Sequence, residues 1–270
     1  MKRLYKKILK AKKKEVKDLR REFNEEILKA AAFSVGGEFR SIEITVQQSP
    51  HIPVFVELKS LLFPENHQLD GFQPLRIANS LIRSGLESGV IVATDRTFLG
   101  GDPSWLNLIK QHTELPVIQR DFFIDPVQIY QAKAIGADAV IINSVWNDLS
   151  ILHSLVDAAN TMGLEVLLEP EKPELPAGID PETLTGVLLS QEFFKNISVE
   201  WNRLQAFLSS LPSHLITLAT VFPTSPPELE RIVSSGIQGI VLANDFWRRE
   251  NFVIQFRTIR HWCENLSLEK

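Results

Sequence analysis

The stretch LPVIQRDFFIDPVQIYQAKAIGADAVII, residues 115–142, decides the fold. A short apolar run at Val117–Ile118 and another at Ala139–Ile142 flank an amphipathic segment from Pro126 to Ile135, so the unit reads strand, helix, strand. The same unit recurs on both sides. Upstream, strands are expected at Pro53–Leu58 and Val90–Ala93, with helices near Pro74–Ser88 and Pro103–His112. Downstream come a helix from about Asp148 to Met162, a strand at Glu165–Leu168, and a proline-rich stretch, Glu171–Pro181, that leaves the fifth helix short or irregular. Strands at Gly186–Leu189, Leu215–Ala219 and Gly239–Leu242 follow, with helices at Glu200–Ser209, Pro226–Ser234 and Asp245–Cys263.

Short apolar strands without clean alternation are what a parallel sheet covered on both faces requires. Eight such units close into a barrel of about 250 residues, which fits the 270 residues present. The expected fold is therefore an α/β protein, a (β/α)8 TIM barrel with an N-terminal helical extension: residues 1–45 form helices packed on the barrel and 46–270 the barrel itself. From Leu4 to Ala32 the apolar positions recur at helical spacing, which gives one or two leading helices. A doubly wound open sheet is the competing topology. It usually carries a glycine-rich turn after its first strand, and Glu57-Leu-Lys59-Ser-Leu-Leu has none.

A composition of 44% hydrophobic and 23% charged residues excludes wholesale disorder. No apolar stretch approaches the roughly 18 residues of a membrane span, so no membrane partner is expected. Cys263, the lone cysteine, cannot form an internal disulfide or a cysteine-rich metal site, and a cytoplasmic location is expected. The six histidines, His51, His67, His112, His153, His214 and His261, lack metal-ligand spacing, so neither metal nor cofactor is expected. Charge is uneven: Met1–Arg21 carries a net +9 and the rest of the chain −13. A basic arm can contact nucleic acid. The preferred reading is a solvated helix packed on the acidic body through Leu4, Ile8, Leu9, Val16 and Leu19, with no nucleic-acid partner and no protein partner specified.

Catalytic groups in such barrels sit at the carboxyl ends of strands. The first strand ends in Glu57 and Lys59, two residues apart and so on one side of the strand; the third ends in Gln119-Arg120-Asp121 and the fifth in Glu169. Opposite charges placed there shift one another's pKa and supply a usable acid and base.

The residues around these positions resemble the indole-3-glycerol-phosphate synthase family along nearly the whole chain. The matching segments are Ile8–Val16, Val56-Glu57-Leu-Lys59-Ser60, Thr94-Asp-x2-Phe98-Leu-Gly100-Gly101, Leu115–Tyr130, Ala132-x3-Gly136-Ala-Asp138, Gly163–Glu169 and Gly236–Leu242. The resemblance implies a barrel lyase that closes the indole ring of a phosphorylated anilino-sugar with loss of carbon dioxide and water. Glu57 and Lys59 match site residues of the first strand, Glu169 matches the general base, and Arg120 stands where the family places its general-acid lysine. Arginine stays charged and is a poor proton donor, which leaves Lys59 to take over that role.

Other strand ends depart from the family's pattern. Leu61, Leu62, Phe63 and Pro64 replace polar residues after the first strand. Leu188, Leu189, Ser190 and Gln191 replace an Asn-x-Arg-Asp run, and Thr220, Val221, Phe222 and Pro223 replace Glu-Ser-Gly-Ile. Ala243, Asn244 and Asp245 replace Gly-x-Ser; bulk and a carboxylate then occupy the loops that hold phosphate in barrels, and Asp245 is expected to cap the last helix. The expectation is a divergent family member with a partly kept acid/base site, degraded phosphate loops and a small ligand, not phosphorylated, in the barrel mouth. The alternative is an inactive homologue serving as a binding or scaffold protein.

Overall fold

Aspartate side chains fix three helix starts: Asp102 accepts from Ser104 N at 2.8 Å, Asp125 from Val127 N at 3.0 Å, and Asp148 from Ile151 N at 3.0 Å. Gln128 closes the Asp125 cap by accepting from the Asp125 N–H at 3.2 Å, and proline follows Asp102 and Asp125 at the first helical position. These caps place the helices just beyond the strands.

The computed structural model describes residues 2–34, 36, 38–62, 67–191 and 197–266. Three helices, α1 (Lys2–Glu22), α2 (Glu25–Ser34) and α3 (Ile42–Gln48), precede the first strand. The strands are β1 (Val54–Leu58), β2 (Gly89–Ala93), β3 (Val117–Arg120), β4 (Ala139–Asn143), β5 (Glu165–Glu169), β6 (Gly186–Leu189), β7 (Ile216–Thr220) and β8 (Gly239–Leu242). Around them run α4 (Pro74–Ile82), α5 (Pro103–His112), α6 (Pro126–Ala134), α7 (Leu149–Thr161), α8 (Ile197–Ser210), α9 (Pro226–Val233), α10 (Asn244–Trp247) and α11 (Phe252–Asn265). All eight strands are parallel, each pairs with its sequence neighbours, and β1 pairs with β8 to close a TIM barrel.

The pairing registers stack the inward side chains in layers of four from alternate strands. Phe55, Ile118, Leu167 and Leu218 form one layer and Ile91, Ile141, Leu188 and Val241 the next, all buried in one apolar cluster. The layer above is Glu57, Arg120, Glu169 and Thr220, and above that lie Ala93, Asn143, Ser190 and Ala243. Charge thus begins where the apolar plug ends.

At the opposite end α3 seals the barrel, with Ile42 and Val46 inside the same apolar cluster. Glu165 of β5 accepts from Ser41 Oγ and from Ile42 N at 2.6 Å, and burial pushes its carboxyl above the usual range. α1 packs on the barrel through Ile8 and Val16, with Leu4, Leu9 and Leu19 half-buried.

Three features differ from the sequence expectation. α3 and an antiparallel ribbon, Leu61–Leu62 with His67–Gln68, are additional. The crossover after β5 is irregular, as its prolines led us to expect, and contains among the described residues only a 3-10 turn at Pro181–Thr183. The final helix is two helices, because Asn251 adopts a left-handed conformation (φ 54°) and breaks the chain between α10 and α11.

Candidate active site at the barrel mouth

At the carboxyl ends of the strands the expected charged residues meet. Glu57, Lys59 and Glu169 are almost wholly buried. Lys59 Nζ lies 3.0 Å from Glu57 Oε1, and Arg120 Nε approaches the same oxygen at 3.4 Å. Arg120 Nη2 donates to both oxygens of Glu169, at 3.0 and 2.9 Å, and Asn143 Nδ2 donates to Glu169 Oε2 at 2.7 Å. A chain of contacts therefore runs Lys59, Glu57, Arg120, Glu169, Asn143 across the mouth.

Burial opposes ionisation of Glu57, yet Lys59 and then Arg120 outweigh it and hold the carboxyl below its usual range. The Arg120 guanidinium is held above its ordinary value: burial opposes its charge, but Glu169 and Glu57 more than compensate. Lys59 shares its carboxylate with that permanent charge. Burial lowers its pKa, Glu57 pulls it back up, and Arg120 lowers it again, so the ammonium ends below the usual lysine range. Of the two cations, Lys59 is the one whose proton the surroundings loosen.

A second buried network props up this one. Lys12 of α1, 2% exposed, places Nζ 2.6 Å from Asp95, 2.6 Å from Asp121 and 2.7 Å from Glu15. Burial opposes its charge, but Asp121, Asp95 and Glu15 together raise its pKa. Asp121 also accepts from Thr94 Oγ1, which accepts from Gln119 Nε2 at 2.8 Å. Asp95 accepts from Phe98 N and Leu99 N, holding the loop whose Leu99 carbonyl receives Leu61 N at 3.1 Å and whose Gly100 carbonyl receives Ser60 Oγ at 2.6 Å. One lysine thus ties α1 to the loops after β1, β2 and β3.

The remaining expected positions are mostly apolar and packed. Leu62, Leu188, Val221 and Ala243 are buried, while Ser190, Thr220 and Phe222 are half-buried. Phe222 stands 6.5 Å from Phe246 between ring centroids, and the Arg249 guanidinium lies over its ring at 5.1 Å. Phe246 packs edge-on against Trp247, and Trp247 Nε1 also donates to the Glu57 carbonyl at 2.7 Å. Asp245 does not cap the last helix. It lies inside α10, accepts from Gln191 Nε2 and sits 3.8 Å from Arg248; the α11 cap position belongs to Asn251, which makes no side-chain cap bond. Phe63 and Pro64 lie outside the described residues.

Two participants were not anticipated from the sequence. Asn143 ends a strand, a position that signals the mouth. Lys12 sits four residues from both Ile8 and Val16, on the apolar stripe of α1, a signal masked by the lysines around it.

A family model described as indole-3-glycerol phosphate synthase matches residues 5–253. Indole-3-glycerol phosphate synthase from a Thermoanaerobacter species is 25% identical over 248 residues, 89% of this chain and 91% of that relative. Indole-3-glycerol phosphate synthase 2 from Ralstonia nicotianae is 28% identical over 190 residues, 70% of each chain. Among solved structures, orotidine 5'-phosphate decarboxylase from Pyrococcus horikoshii superposes with a TM-score of 0.55 at 16% identity, over 79% of this chain and 100% of its own. 3-Hexulose-6-phosphate synthase from Salmonella typhimurium gives 0.56 at 13% identity, over 78% and 98%. At such identities the superpositions speak to fold alone.

Proposed function

Because the chain belongs to the indole-3-glycerol phosphate synthase family, we propose that its barrel mouth is a divergent form of that family's site, with the acid/base groups partly kept and the phosphate loops degraded. The observation that carries this reading is Arg120 bonded to both oxygens of Glu169 while it also approaches Glu57. A general base needs a free oxygen facing the proton it takes, and a general acid needs a proton it can release. Glu169 is occupied by Arg120 and Asn143, and a guanidinium does not release its proton at neutral pH. Lys59, with its loosened proton, is the one group here suited to proton donation.

The phosphate side is equally altered. Phe222 and Pro223 bring bulk and remove one backbone donor, and Asp245 adds a carboxylate where the resemblance would seat a dianion. Each lost oriented contact removes about 2–4 kcal/mol of transition-state stabilisation. The ring-closing decarboxylation therefore does not run here at an ordinary rate, and the ligand is a small molecule without a phosphate. Any retained reaction would be that of a carbon–carbon lyase, with Glu57, Lys59, Arg120 and Glu169 in contact with the substrate.

A second reading, an inactive homologue serving as a binding or scaffold protein, is favoured by the same Arg120 clamp, which ties both carboxylates at once. A cytoplasmic location suits a chain whose single cysteine cannot form an internal disulfide.

The test is incubation of the purified chain with the family's phosphorylated anilino-sugar while indole fluorescence is followed. No indole product is expected, whereas turnover of about 1 s⁻¹ or faster, the ordinary enzyme range, would defeat both readings. Thermal melts in millimolar phosphate are expected to show no stabilisation. A clear upward shift that Phe222→Gly enlarges would refute the loss of the phosphate site.

A further inference from the structure

The two faces of α1 have different chemistry. The inner face, with Ile8, Lys12 and Val16, is committed to the barrel. On the outer face Arg3, Lys7, Lys10, Lys14, Lys17 and Arg21 succeed one another in alternating steps of four and three residues, flanked by Lys6 and Lys13, and all are exposed. At about 100° per residue these side chains fall within an arc of roughly 120° opposite the buried stripe, along a line of about 27 Å.

Among the described residues, the protein's own acids pair with only Arg21 on this line, although the chain beyond Arg21 carries a net −13. Among the described residues, the acidic body anchors α1 only from within and at its end: Lys12 takes Asp95 and Asp121, and Arg20 takes Asp125. Glu15 is drawn to Lys12, and Asp18 reaches only Arg21, at 3.7 Å. Among the described residues, Lys6, Lys7, Lys10, Lys13, Lys14 and Lys17 have no ion pair. Like charges four residues apart destabilise a helix, so the stripe is a standing cost that an anionic partner would remove.

We propose that this face is a docking surface for an acidic amphipathic helix of another protein. A three–four spacing keeps the stripe parallel to the helix axis, the arrangement in which a second helix lies alongside. The fitting partner carries Glu or Asp at that same spacing. Other anions fit less well. No Ser, Thr, Asn, Gln or aromatic side chain is exposed on the stripe to meet bases or sugars, and a helix buried on one face cannot enter a DNA groove. No exposed apolar residue lies between Arg3 and Glu22 to enter a bilayer surface.

Fluorescence anisotropy of the full chain with a labelled helical peptide of about 20 residues, bearing Glu at three–four spacing, tests this. A scrambled peptide of identical composition is the control. The patterned peptide should bind about tenfold or more tighter than the scrambled one and weaken about tenfold between low and roughly 0.3 M salt. The Lys7→Glu/Lys10→Glu/Lys14→Glu/Lys17→Glu variant should lose binding while its circular dichroism stays unchanged. Lys7→Gln/Lys10→Gln/Lys14→Gln/Lys17→Gln, which avoids new charge, should weaken it to a lesser degree. Equal affinity for both peptides, undiminished binding by the variants, or tighter binding of duplex DNA or phosphatidylserine vesicles than of the patterned peptide would each overturn the proposal.

Discussion

Lys59 shows how one buried charge makes stability depend on pH. Its pKa in the fold lies below the ordinary 10.5, so its burial costs stability wherever it is protonated. The cost is full below the depressed value and fades as pH rises through 10.5. Lys59→Met is therefore expected to fare best against the wild type near neutral pH and to lose that relative standing as pH climbs, read from urea melts across the range. A relative stability that rises with pH would contradict the assignment. At Lys12 the sign is reversed. Lys12→Met strands Asp95 and Asp121 in a buried setting, and a loss of about 3–5 kcal/mol is expected in chemical denaturation; a loss under about 1 kcal/mol would mean that water already screens the cluster. Glu57, Lys59, Arg120 and Glu169 were legible in the sequence because ionisable groups ending apolar strands are conspicuous. Lys12 was hidden because its burial depends on where helix periodicity meets acids about a hundred positions away, at residues 95 and 121.

At the scale of elements, the strands and barrel helices could be read because each repeats a short apolar run followed by an amphipathic one. The break between α10 and α11 could not, since it turns on Asn251 taking a left-handed backbone within otherwise helical composition. Nor could α3, whose seven residues are held by Glu165 from a distant strand. The loop after β2 makes the sharpest prediction. A Cβ on Gly101 would sit 2.1 Å from the Ala93 carbonyl oxygen, an immovable backbone atom. Gly101→Ala should therefore cost about 3 kcal/mol or more and, by shifting the loop that receives Leu61 N and Ser60 Oγ, disturb the neighbourhood of Lys59. The check is a paired measurement of denaturation midpoint and of the Lys59 titration; an unchanged midpoint would show that the loop yields.

Across the whole molecule, acid should act through Glu57. Its carboxyl is held below 4.5, so the stability it brings is complete above that value and disappears as pH falls through the depressed one. Glu57→Gln should trail the wild type at pH 7 and draw level with it in strong acid, as followed by thermal melts; a gap that persists in strong acid would place the cause elsewhere. The barrel was legible at this scale because eight units and the available length admit one closed topology. The departures at Leu188, Val221 and Ala243 were legible only as substitutions, and their placement required the registers that set Glu57, Arg120, Glu169 and Thr220 in one layer. The division of α1 into an inner and an outer face bears on how the molecule comes together. α1 precedes the barrel in the chain, yet the acids that receive Lys12 are made about a hundred residues later, and the barrel is sealed only when Val54 meets Ile240. α1 is therefore made well before the residues that hold it, and the mouth it braces takes its shape only once β8 has met β1.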